Sequence, residues 1–165
     1  MARKITPTNV LLNQIELSSS ASSILFSDIP QGYGDLVVVA HIDGSTQTEL
    51  YIRFNENTSI TYSSVRMQGS GSVAGYNTHS STSGMRLVGN GDIVTNFSHT
   101  AIIQLNDYSA TDKHKNVLSR TGSTIGVDAC SGRWQSTTAI NSVMLYPAAG
   151  TFETNSTFSL YGVYA

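Results

Sequence analysis

The side chains best suited to chemistry are four histidines, His41, His79, His99 and His114, and a lone cysteine, Cys130. The histidines stand singly, with no H-x-x-x-H pair and no cysteine-rich spacing that would gather a metal, so no metal site is expected. His41 ends an apolar run, His79 sits in a Ser/Gly-rich stretch where water would solvate it, and His99 and His114 read as surface residues. No local signature marks Cys130 as a nucleophile, and a free cysteine is ordinarily a small buried hydrophobe. The 11 Asp and Glu residues could furnish a carboxylate pair for glycoside hydrolysis, yet nothing in their spacing selects two of them. Gly69-Ser70-Gly71-Ser72 and Gly89-Asn90-Gly91-Asp92 have the glycines of a phosphate-binding loop without the strand before and helix after it, so they read as turns. The glycosylation triplets beginning at Asn57, Asn96 and Asn155 are of the kind that a Ser/Thr-rich chain produces by chance. The chain is therefore expected to be no enzyme and to hold no cofactor.

Amphipathic rings remain, and these stack on sugars or anchor protein interfaces. Burial is the ordinary fate of Trp134, while Tyr62, Tyr76 and Tyr108 stand in polar stretches and read as exposed rings. With the basic pair Arg3 and Lys4, these four aromatics are the candidate contacts to a neighbouring subunit or a glycan.

The elements that would position them are strands. Charged residues are 12% of the chain, against hydrophobic residues at 39%, and Ser and Thr fill about a quarter. Few Glu, Lys and Arg are available to decorate helix faces, so long helices are not expected. Apolar runs of four to eight residues are separated by Gly, Ser, Asn and Asp clusters. Strands are read at Ser22 to Phe26, Asp35 to Ile42, Leu50 to Phe54, Phe97 to Leu105, Lys115 to Arg120, Ala139 to Tyr146 and Thr157 to Val163. Weaker candidates lie at Ser64 to Gln68 and Met85 to Val88. The continuous run Leu36-Val37-Val38-Val39-Ala40 is what a strand covered on both faces looks like, whereas Leu50, Ile52 and Phe54 alternate with Tyr51 and Arg53 as in a half-buried strand. Gly69 to Gly84 reads as a long exposed loop or a loosely held edge hairpin. The sum is an all-β, antiparallel, jelly-roll-like sandwich of roughly eight to ten strands over residues 17–165, preceded by residues 1–16 as an N-terminal arm or first strand.

The net charge of −2 comes with no basic block, which argues against a nucleic-acid partner. Arg3-Lys4 is followed by Ile5-Thr6-Pro7 and not by an apolar stretch of signal-peptide length, so no membrane association and synthesis in the cytoplasm are expected.

Five segments in order carry a resemblance: Leu17-Ser18-Ser19-Ser20-Ala21-Ser22-Ser23-Ile24-Leu25-Phe26; Ile29-Pro30-Gln31-Gly32-Tyr33-Gly34-Asp35-Leu36-Val37-Val38-Val39; Ile52-Arg53-Phe54-Asn55; Asp107-Tyr108-Ser109-Ala110-Thr111-Asp112-Lys113-His114-Lys115; and Phe158-Ser159-Leu160-Tyr161-Gly162-Val163. Together they resemble a family of small β-sandwich virion proteins of tailed bacteriophages, found as capsid decoration (cement) proteins and as terminal modules of tail fibres. The resemblance implies a jelly-roll-like domain, commonly a homotrimer, with no catalytic residues to transfer. No coiled-coil heptads or collagen-like repeat precede the domain, which favours capsid decoration over a fibre tip. The expected partners are then copies of the chain itself and the major capsid protein on the outer capsid surface, with a host glycan as partner in the fibre alternative. Residues 1–16 could lie as an arm across a neighbour, Arg3 and Lys4 pairing with acidic groups of the capsid.

Overall fold

The computed structural model describes residues 8–89 and 93–164. Arg3 and Lys4 lie outside the described residues, as do Asn90, Gly91 and Asp92 of the glycine-rich turn. The described residues form two antiparallel sheets and no helix. Eight strands make the frame: β1 (Asn9–Glu16), β2 (Ile24–Phe26), β3 (Asp35–Ile42), β4 (Leu50–Phe54), β7 (Met85–Arg86), β8 (His99–Asn106), β11 (Val143–Pro147) and β12 (Thr157–Val163). They are arranged β1-β12-β3-β8 in one sheet and β2-β11-β4-β7 in the other. Apart from β4 and β7, successive strands of the frame swap sheets, and late strands return beside early ones, which is the connectivity of a jelly roll.

Two hairpins interrupt that frame. β5 (Tyr62–Gly69) and β6 (Ala74–Thr82) are inserted between β4 and β7, and β9 (Lys115–Gly122) and β10 (Val127–Trp134) between β8 and β11. All four strands join the same sheet beyond β8, in the order β9-β10-β5-β6, and extend it to eight strands. The twelve strands exceed the eight to ten expected. Residues 69–84 take the edge-hairpin form, and residues 9–16 are a strand hydrogen-bonded to β12.

Alternation explains the core. Leu36, Val38, Ala40 and Ile42 of β3 point inward and are fully buried, facing Leu50, Ile52 and Phe54 of β4 across the sandwich. Val37 and Val39 point the other way and are only half-buried, so the β-branched run is covered on one face and not on two as its sequence suggests.

Several quoted motifs are knots in this frame. Asn55 adopts a left-handed conformation, φ 49°. Its amide donates to Ala139 O at 2.8 Å and accepts from Asn141 and Ser142 N–H at 2.8 and 3.1 Å, joining the end of β4 to the entry of β11. Lys115 is buried, and its ammonium donates to the carbonyls of Ala110, Lys113 and Thr137 at 2.5, 3.1 and 3.2 Å. At Gly162 the Tyr33 ring occupies the space a Cβ would take, 2.6 to 2.8 Å from where that atom would stand.

Candidate interaction face

Three of the candidate rings are core residues. Tyr62, Tyr108 and Trp134 are at most 1% exposed, so the exposed-ring reading is corrected for Tyr62 and Tyr108, and Trp134 has no surface to offer a partner. Tyr62 begins β5 on its inward phase and stacks on Trp134, centroids 6.0 Å apart, with Phe54 5.6 Å from the indole. Polar sequence neighbours did not prevent this, because in a strand they face the opposite way. The Tyr62 hydroxyl accepts from Phe54 N–H at 3.0 Å, so the ring is buried with its oxygen satisfied. The Tyr108 hydroxyl likewise donates to Pro30 O. Tyr76 alone of the four stands out, 78% exposed on β6.

The histidines stay apart. His41 is exposed beside Thr100, and His114 is exposed in the loop before β9. His79 is not in a solvated loop but on β6, its Nε2 2.8 Å from the Arg86 guanidinium. His99 is fully buried, in phase with the inward residues Ala101, Ile103 and Leu105. That phase was the signal that could have placed it. Among the described residues no three His, Cys, Asp or Glu side chains converge as a metal would need. Cys130 is buried, and burial pushes its thiol up to about 11, which leaves almost no thiolate near neutral pH.

One polar cluster covers the outside of the small sheet. Tyr51 stacks on Tyr146 at 5.5 Å, Arg53 lies 4.7 Å from the Tyr146 ring centre, and Arg86 contacts Glu49 at 2.5 Å. Rings, guanidinium groups and a carboxylate are what a sugar site uses, but here they engage one another. Tyr51 donates to Glu49 at 2.9 Å, and Arg53 donates to Tyr146 at 3.1 Å and to Ser83 O at 2.9 Å. Burial and Glu49 push Tyr51 up to about 12. The cluster fastens the turn before β7 to the small sheet.

The outer face of the large sheet is different. Along much of the added strands the usual alternation is inverted, although Tyr62, Val117 and Trp134 at their ends still face the core. Ser64, Arg66, Ser119, Thr121 and Asp128 point inward and are buried, with Arg66 and Asp128 paired at 2.7 Å beneath the segment that carries Leu87 and Val88. Val65, Met67, Leu118 and Val127 point outward and are 51, 63, 46 and 62% exposed. This polarity explains why β10 escapes a reading that seeks apolar runs.

Cross-strand register aligns the outward residues in two rows. On β12, β3 and β8 they are Tyr161, Val37 and Gln104 in one row and Ser159, Val39 and Ile102 in the next. β9, β10, β5 and β6 continue them with Leu118, Ser131, Val65 and Thr78, and with Arg120, Ala129, Met67 and Tyr76. Arg120 is the only charged side chain in either row. An ordinary soluble surface carries roughly a quarter to a third charged residues. Between Val65, Met67, Leu118 and Ala129 lies a mostly apolar trough of about 310 Å³, lined also by Gln104 and Arg120.

Fold and face together define a β-sandwich domain of jelly-roll type with an extended sheet face that carries few charges. No protein-family model matches the chain, and no curated protein matches it. Solved structures similar to it include the galectin LEC-6 of Caenorhabditis elegans, with a TM-score of 0.38 and 8% identity over 96% of each chain.

Proposed function

We propose that this chain is a non-catalytic structural protein of a tailed-phage virion, a capsid decoration protein, and that it works through the outer face of its large sheet. The observation that carries the reading is the pair of cross-strand rows in which Arg120 alone is charged, on strands that bury an Arg–Asp pair and expose Val and Met instead. Each such apolar side chain gains about 1.5–3 kcal/mol when fully removed from water. A sequence that leaves several of them out, and turns its polar side chains inward, fits a sheet that has a second cover in its working state. The run on β3 reads as doubly covered in the sequence and is covered once in the isolated chain, which supports the same conclusion. The phage assignment itself rests on the ordered motifs given above. Attachment by many weak contacts repeated over a symmetric lattice suits a face with little charge.

The test is a comparison of virions with and without the protein. Particles lacking it are expected to open at lower temperature and under milder osmotic shock, with host attachment unchanged. Equal robustness together with lost attachment to host cells would overturn the decoration reading and put the fibre-tip module in its place.

A further inference from the structure

We propose that the outer face of β9, β10, β5 and β6 binds a second copy of this chain, face to face across a twofold axis near β5, each copy seating Tyr76 in the other's trough. This deepens the proposed function, and rests on its reading of the outer face as the working surface.

A twofold contact must be self-complementary, since the same patch serves both partners. This patch carries both halves of such a contact. Tyr76 projects from β6 at 78% exposure, and the apolar trough between Val65, Met67, Leu118 and Ala129 lies two strands away on the same side of the sheet. An axis near β5, between them, brings knob to trough in both directions at once. Tyr is also the residue most at home in such a role, with a large rigid surface and a hydroxyl that can stay at the wet margin.

Charge permits the pairing. Arg120 is the only ion in the two central rows and stands on β9, the strand farthest from the β6 edge in this set, while Arg133 lies in the next row, exposed near the end of β10 and so toward the end of the face. With neighbouring strands about 4.8 Å apart, an axis at β5 keeps the two Arg120 side chains roughly 20 Å from each other. Size permits it too. Four strands of eight or nine residues present a face of roughly 20 by 25 Å, so two copies would bury on the order of 1,000 Å² in total, the lower bound for a specific interface. Sheets pack about 10 Å apart with side chains interdigitated, and the trough admits the ring at that spacing. An interface of this size is reversible, in keeping with assembly completed on a particle.

Sedimentation equilibrium of the full chain, from below 1 µM to several hundred micromolar, tests the pairing. The expected result is a monomer–dimer equilibrium. Tyr76→Ser should weaken it at least tenfold and Met67→Asp at least a hundredfold, while Ile60→Asp, 68% exposed but off this face, leaves it unchanged. Met67 is mostly exposed, and an unaltered thermal melt for each variant establishes that the fold is kept. A monomer at every concentration, a trimer, or a dimer indifferent to Met67→Asp would overturn the proposal. The two readings fail separately. Virions weakened by Met67→Asp while the free protein is a monomer throughout would sink the pairing and keep the decoration role. A Met67-dependent dimer whose loss leaves virions as robust as before would keep the pairing and sink that role.

Discussion

Lys115 shows how much of this chain's stability is held by single polar side chains. Its ammonium is buried and engages three backbone carbonyls, of Ala110, Lys113 and Thr137. Burial lowers its pKa below the ordinary lysine value, but the carbonyl cage is shaped for the charged form. Lys113, two residues earlier, makes the more conspicuous ion pair with Asp107 at 3.0 Å, yet both side chains are more than half exposed. The magnitudes decide between them. Lys115→Met leaves buried carbonyls without a donor and should cost at least about 2 kcal/mol, roughly 4–8 °C in Tm for a chain of this size. Lys113→Met should cost under about 0.5 kcal/mol. Thermal melts of the two variants, side by side, check the order. The sequence gives the two lysines the same appearance. What separates them is the path of residues 107–115, which folds Lys115 inward on the first residue of β9.

The strands differ in how far their placement can be read from residues. β3, β4 and β12 are legible because apolar residues fall on one phase, and the expected spans of all three agree with the structure to the residue. β10 is not legible, because Asp128, Cys130 and Gly132 face inward and Val127, Ala129 and Ser131 outward, so no apolar phase marks the strand. β6 is legible only as a loop or a loosely held edge hairpin, for a related reason, being an edge strand of mostly small polar residues with little to bury. Tyr62 looks like a surface ring only while its strand is unassigned, whereas the burial expected of Trp134 agrees with its place in the core. The jelly-roll order is beyond local reading altogether, since it depends on pairs such as β1 with β12 from opposite ends of the chain. Nor could spacing show that β5 and β10 would turn their apolar side chains out along one face.

β6 also carries a pH dependence. His79 is held below the ordinary imidazole value of 6.5, first by burial and next by the Arg86 guanidinium, with Glu49 opposing and Arg66 adding to the lowering. The folded state therefore disfavours the protonated ring relative to the unfolded chain. The stability it contributes is complete above about pH 6.5 and is lost as pH falls through the lowered folded value. His79→Gln should flatten the decline in Tm between pH 7 and pH 5, and a parallel pair of melting curves with unchanged slopes would refute the assignment.

At the scale of the whole molecule, a jelly-roll frame is closed on its inner side and lengthened by four strands that reverse its polarity in part. The frame needs no cover on the outer face of the added strands for its own stability, since its core lies between the sheets. What those strands add is width, and a surface almost free of charge. Soluble surfaces ordinarily intersperse charges of both signs, and here the two central outward rows hold Arg120 alone, with Arg133 in the row beside them. Cover on that face in the assembled protein is therefore the decisive property. Hydroxyl-radical footprinting reads this directly, because Met67 and Tyr76 are both oxidisable and exposed in the isolated chain. Labelling of the two should fall several-fold from dilute monomer to the assembled state, on the particle or at high concentration, while Tyr164, 46% exposed and away from the added strands, keeps its rate. Equal labelling of Met67 and Tyr76 in dilute and assembled protein would contradict it.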